Sequence, residues 1–147
     1  MTRAGKLQLV VRRWIPAAPE RLFSAWTEPR QLLAWWGPPG VRCVEANVDL
    51  RPGGRYRFKA ERPDAPPIVI VGEFLTISRP RELVYTWSID EQAGPTEQVT
   101  VRFTPEGAGS DVVVTHERIA EDDVLRDHRD GWIGCLAELD AHVRGDH

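Results

Sequence analysis

Four side chains carry most of the chemistry open to this sequence: His116, His128, Glu73 and Tyr56. His116 closes the alternation Val112, Val114, His116, so its ring shares the face of those valines. His128 falls inside the apolar stripe of the last helical pattern. Imidazole gives and takes a proton near neutral pH, so two of them on elements that pack together could relay a proton, hold a water or orient a ligand. The plainer role for a histidine on an apolar face is a hydrogen-bonded core residue, and it is the preferred one. Glu73 stands in an otherwise apolar strand, where a buried carboxyl could act as acid or base. An edge-facing or Arg-paired glutamate is the simpler account. Tyr56 offers a hydroxyl at an alternating strand position, as does Tyr85. No third His, Cys or carboxylate stands at a metal-like spacing beside the histidines, so neither a metal nor a cofactor is expected.

The tryptophans form the second group. Six in 147 residues is a high count, and five have a stated place in the patterns, Trp14 among them near a strand end. Trp26 sits on a short helical face and is expected in the core. Trp36, Trp87 and Trp132 fall where a sheet and a long helix would face each other, and there a pocket can open. The predicted lining is Trp36, Tyr56, Phe58, Tyr85, Trp87, Val101, His116, His128, Trp132 and Leu136. Asp49-x-Arg51 before Pro52-Gly53-Gly54 reads as a structural turn.

The element that must position these groups is the segment Glu121 to Arg144. Val124, Leu125, His128, Trp132, Cys135, Leu136, Leu139 and Val143 recur at helical spacing, with Arg126, Asp127, Arg129, Asp130, Glu138 and Asp140 opposite. Glu121-Asp122-Asp123 places negative charge at the helix's positive end. Nearly everything before it reads as strand. Lys6 to Ile15 is β-branched and stops at Pro16. Two short helices follow, Pro19 to Trp26 and Pro29 to Trp36, each opening on proline, and Gly37-Pro38-Pro39-Gly40 ends the second.

From Val41 the period becomes two. Val44, Ala46, Val48 and Leu50 alternate against Cys43, Glu45, Asn47 and Asp49. Tyr56, Phe58 and Ala60 then alternate against Arg55, Arg57, Lys59 and Glu61, giving a hairpin. Arg62 to Pro67 reads as a loop, Ile68 to Ile77 as a central strand and Glu82 to Ile89 as the next. Asp90 to Pro95 reads as a turn. Thr96 to Thr104 and Asp111 to Glu117 form the last hairpin through Pro105 to Ser110. Strands with helices grouped on one face define an α+β domain of two layers.

Whole-chain properties exclude several classes. A net charge of -3 and a pI near 5.8 argue against nucleic acid or an anionic membrane as the main partner. No apolar run approaches the length of a membrane span, and the first residues lack a signal peptide, so a cytoplasmic protein is expected. Cys43 and Cys135 are isolated and suggest neither a zinc site nor a disulfide scaffold. There is no phosphate-binding loop, no dinucleotide fingerprint and no nucleophile elbow.

Several stretches together resemble one family: Phe23-x-Ala25-Trp26-Thr27-x-Pro29 running into Trp35-Trp36-Gly37-Pro38, then Asp49-x-Arg51-Pro52-Gly53-Gly54, Leu83-Val84-Tyr85-Thr86-Trp87, Thr115-His116-Glu117 and Gly131-Trp132. The chain is similar to the SRPBCC (START-like, helix-grip) superfamily, in the branch named for the activator of the heat-shock-protein-ninety ATPase. The resemblance implies a curved antiparallel sheet of six to seven strands around the long C-terminal helix, with a deep apolar cavity between them. Lipid carriers, aromatic polyketide cyclases and self-resistance proteins that sequester or react with antibiotics belong to the superfamily. No catalytic motif is common to the branch. The expectation is one domain over residues 1–147, monomer or homodimer, binding a small hydrophobic, aromatic or polycyclic ligand. Two alternatives stay open: an enzyme of cyclase, aromatase or hydrolytic type using His116, His128, Glu73 or Tyr56, and a co-chaperone-like interaction domain.

Overall fold

A computed structural model describes residues 5–89 and 96–145. The elements run β1 (Leu7–Ile15), α1 (Pro19–Thr27), α2 (Pro29–Trp35), β2 (Arg42–Val48), β3 (Arg55–Arg62), β4 (Ala65–Ser78), β5 (Glu82–Ile89), β6 (Glu97–Glu106), β7 (Gly109–Ile119) and α3 (Asp122–Val143). All seven strands form one antiparallel sheet in the order β1-β7-β6-β5-β4-β3-β2. After β1 the chain crosses to the far edge through α1 and α2, then meanders back until β7 lies beside β1. This is the α+β helix-grip arrangement, with the two short helices after the first strand.

Period-two patterning positions the inner face as expected. Tyr56, Phe58 and Ala60 on β3, Leu83, Tyr85 and Trp87 on β5, and Val112, Val114 and His116 on β7 are all buried. Bulges break the pattern where sequence alone could not show it. One between Cys43 and Glu45 on β2 brings Cys43 inward together with Ala60, so Cys43 is buried although it alternates against Val44.

The segment expected as a loop from Arg62 to Pro67 is instead a tight turn inside a ladder. Arg62 pairs with Ala65, and Asp64 takes a positive φ of 60°. Pro66 and Pro67 belong to β4, close to its start, where a strand best tolerates proline. The last hairpin is also tighter than expected: Glu106 pairs with Gly109 across Gly107 and Ala108, with Gly107 at φ 60°. The turn expected over Asp90 to Pro95 lies outside the described residues.

α3 binds through its predicted stripe, with Trp132, Cys135, Leu136 and Leu139 buried. One member of the expected solvent face is also buried. Asp140 receives a 2.8 Å bond from Arg13 Nε on β1 and another from Arg144 one turn on. Burial would raise its carboxyl, but those two guanidinium groups lower it. This ion pair fixes the C-terminal half of α3 against the edge strand.

Gly72 on β4 is required by packing rather than by φ. A Cβ there would stand 1.9 Å from the Thr86 carbonyl oxygen and 2.6 Å from the Tyr56 ring. The tyrosine lies across the glycine and donates its hydroxyl to Thr86 O at 2.5 Å. Replacing Gly72 by Ala is therefore expected to destabilise the fold by about 1–3 kcal/mol, the usual range for overpacking. Denaturant melts of the variant and the wild type measure the difference.

Candidate ligand cavity and carboxylate–histidine cluster

A cavity of about 360 Å³ opens between the N-terminal half of α3, the chain after α2 and the β3–β5 end of the sheet. Its walls include Trp36, Val41, Ile68, Ile70, Trp87 and Trp132. Arg62, Asp127 and His128 supply its polar side chains. The volume lies in the range of small-molecule sites.

Local sequence explains the opening. Trp36 follows α2 in an extended conformation and turns back to give its N–H to Leu32 O. Gly134 lets Pro38 and Pro39 approach the helix, since a Cβ there would stand 2.8 Å from each ring. Gly131 has the opposite surroundings: nothing lies within 4 Å of its missing Cβ, and it forms part of the cavity wall. The helix face is bare at that point.

Of the ten predicted lining residues, Trp36, Trp87, His128 and Trp132 line the cavity. Tyr56, Phe58 and Tyr85 form a buried aromatic cluster, with centroids 5.0 Å apart for Tyr56–Phe58 and 5.2 Å for Tyr56–Tyr85. Val101 and Leu136 are core residues. Trp26 is core as well, stacked on Trp132 at 5.9 Å with its indole N–H on the Tyr85 hydroxyl at 3.3 Å. Glu73 does not join the cavity. It lies with Arg55, Arg57 and Thr86 along a groove on the outer face of the sheet, because its register partner Arg55 alternates away from Tyr56.

The two histidines meet through a residue that sequence reasoning missed. Glu97 Oε1 lies 2.7 Å from His116 Nε2 and 2.8 Å from His128 Nε2, and the two rings stack at 4.4 Å. Trp132 Nε1 gives its proton to His116 Nδ1 at 3.0 Å. Trp87 stands edge-on to both imidazoles, at 5.1 Å and 5.9 Å. No signal in the sequence places Glu97 here: it follows the predicted turn and reads as a polar strand end. Only the β6–β7 register, with Gln98 opposite Glu117 and Val99 opposite His116, brings it to the histidines.

Hydrogen-bond chemistry settles the protons. An indole N–H can only donate, so His116 Nδ1 accepts and its Nε2 carries the proton given to Glu97. His128 Nε2 likewise donates to the carboxylate, which leaves its Nδ1 without a partner among the described residues. Burial alone would raise the Glu97 carboxyl, but the hydrogen bonds from both rings bring it down to about 2. Desolvation lowers His116, against the pull of Glu97.

Glu97, His116 and His128 offer three ligand atoms within 4.8 Å of one another, a grouping compatible with a metal ion. The expectation that no third ligand exists beside the histidines is therefore corrected. The donor set still fits a cation poorly. With Trp132 on Nδ1, His116 could ligate through Nε2 only by losing its last ring proton. The thiols offer no alternative, since burial pushes Cys135 up to about 12 and also raises Cys43.

Sheet, long helix and intervening cavity define a helix-grip protein. The chain belongs to the family of Activator of Hsp90 ATPase homolog 1-like proteins, whose model matches residues 16–144. It is similar in structure to protein CV1439 from Chromobacterium violaceum, with a TM-score of 0.84 at 25% identity over 92% of this chain and 96% of that one. The AHSA1 protein SPO3351 from Silicibacter pomeroyi gives 0.84 at 23% identity, covering 96% and 100%. DynU16, from the dynemicin biosynthetic locus, gives 0.76 at 18% identity, covering 93% of this chain and 47% of that one. No curated protein matches the chain. Among the described residues no helix is long and apolar enough to cross a membrane.

The cluster sets an acid limit on stability. His116 stays neutral in the fold at pH values where an unfolded chain takes up a proton, so stability begins to fall as pH drops below the ordinary imidazole value of 6.5. The Glu97 contribution is fully present above its ordinary value of 4.5 and is lost as pH falls from there toward about 2. Calorimetric melts are expected to show the midpoint falling in both windows. Glu97→Gln should flatten the lower one.

Proposed function

We propose that this protein binds a small aromatic or polycyclic ligand between sheet and α3, as a carrier or sequestering protein. The observation that carries the reading is the cavity, whose walls are largely aromatic and aliphatic. Family membership and the likeness to a protein from a biosynthetic locus support it.

Two details narrow the ligand. Trp36 Nε1 and Trp87 Nε1 are buried without a hydrogen-bond partner among the described residues, and both rings belong to the cavity wall. An unmade hydrogen bond of this kind costs about 1–3 kcal/mol. Both atoms are sealed from the cavity's free space, so a ligand oxygen would relieve this only where binding turns a ring toward it. The favoured ligand is flat and apolar, and an acceptor oxygen suits it where either ring turns.

Gly131 gives a test in which the fold is not sacrificed. Gly131→Ala is expected to stabilise α3 by about 0.5–1 kcal/mol, since glycine is a poor helix former and open space surrounds the site. Gly131→Leu should keep the fold while projecting into the cavity. Tryptophan-emission titrations with naphthalene and with 2-tetralone should show saturable quenching in the wild type, weakened at least about tenfold in Gly131→Leu, or about 1.4 kcal/mol. Unchanged affinity in a folded Gly131→Leu protein would place the ligand elsewhere.

A further inference from the structure

We infer that Glu97 and His128 form a carboxylate–imidazole base that removes a proton from the carbon beside a carbonyl group of a ligand in this cavity. The inference rests on the binding reading above and goes beyond it from carriage to turnover.

Three observations converge. The first is the open nitrogen of His128. Its Nε2 is held by Glu97, Nδ1 has no partner among the described residues, and the side chain is 11% exposed in the cavity wall. A neutral imidazole so held presents a lone pair as base, with a carboxylate behind it to balance the charge gained.

The second observation is that the carboxylate is fixed by more than His128. His116 donates to the same Oε1, and Trp132 fixes that ring in turn. His116 is fully buried and both of its nitrogens are engaged, so it positions Glu97 and does not itself reach a ligand. Trp132 and Glu97 are positioning residues in the same sense. Only His128 would touch the reacting atom.

The third is the pair of unpartnered indole donors. Trp87 lies 5.9 Å from the His128 ring, and Trp36 lies 6.3 Å from Trp87, measured between centroids. Both Nε1 atoms are sealed within the wall, so they would meet an oxygen on which negative charge develops only after a turn of either ring toward the cavity.

The step balances without an added reagent. The His128 Nδ1 lone pair takes the proton from the α-carbon. The C–H electron pair becomes a carbon–carbon double bond, and the carbonyl π pair moves onto oxygen as an enolate. The imidazolium then returns a proton to the same or another carbon, giving exchange with solvent or migration of the double bond. The substrate class is an aryl or polycyclic ketone with an acidic C–H next to the carbonyl. His128 being the half-open member of the pair, the proton acquired can also equilibrate with water between turnovers.

The test uses 2-tetralone in deuterated buffer, with α-proton exchange followed by NMR and binding by tryptophan emission. Wild-type protein is expected to exchange the α-protons at least about 10²-fold faster than free imidazole at the same concentration. His128→Gln should lose about 10²–10⁴-fold of that rate while binding 2-tetralone within about twofold of the wild type. Glu97→Gln should lower the rate at saturation without changing affinity. Should that variant unfold, His128→Gln alone decides, because its site lies on the cavity wall.

Bound 2-tetralone exchanging no faster than in imidazole, or equally fast in His128→Gln, would overturn the base and leave the binding site standing. Binding of naphthalene but not of 2-tetralone would overturn the acceptor contact and the base together. Failure of both compounds to bind would remove the binding reading as well. Stoichiometric Zn²⁺ uptake that is lost in His128→Gln would also overturn the base, by making the cluster a metal site.

Discussion

One hydrogen bond ties the long helix, the sheet and the polar cluster together: Trp132 Nε1 to His116 Nδ1. It joins the long helix to β7 between two side chains that are almost wholly buried. A buried imidazole accepting from an indole has a single neutral tautomer available, so the bond also decides which nitrogen faces Glu97. From that follows the ionised state of the carboxylate, and from the carboxylate the orientation of His128. A contact that looks like helix docking is at the same time the origin of the polarity in the cavity wall.

The same tryptophan organises the apolar side. Trp132 stacks on Trp26 at 5.9 Å and meets Trp87 at 5.6 Å, while Trp26 meets Trp35 at 5.1 Å. Trp35 and Trp26 give their N–H groups to Ala25 O and the Tyr85 hydroxyl, and Trp132 gives its own to His116. Trp26 and Trp35 belong to the packed interior and Trp132 to the cavity wall, and each of the three donors has the partner expected of a buried N–H. Trp36 and Trp87 have none among the described residues, and both lie on the cavity.

Much of this was readable from the sequence. Periods of 3.6 and 2 gave the long helix and the strands, and the motifs around Trp26, Gly53 and Trp132 placed the chain in its superfamily. What could not be read depends on register and on bulges. Cys43 turns inward at a bulge, Pro66 and Pro67 enter the first residues of a strand, and Asp140 is buried because Arg13 from the first strand reaches it. Glu97 is the clearest case. A polar residue at a strand end carries no sign of what lies opposite, and a shift of one residue in the β6–β7 pairing would turn it to the other face. Glu73, singled out because it interrupts an apolar strand, alternates onto the outer face for the same reason.

The helix is held unevenly, and that unevenness explains where the cavity lies. Its C-terminal half is bound by Leu136, Leu139 and the Asp140–Arg13 pair, leaving nothing to open. Its N-terminal half, with Val124, Leu125 and His128 only half-buried, stands off the β3–β5 end of the sheet. The two glycines between these halves act oppositely: Gly134 lets the prolines after α2 close against the helix, and Gly131 leaves its face bare. Interiors pack as densely as organic crystals, so a space of this size beside a dense aromatic core is not incidental slack. Larger side chains at Gly131 and Ala60 would narrow it. Both positions carry small residues, next to an imidazole whose Nδ1 has no partner among the described residues.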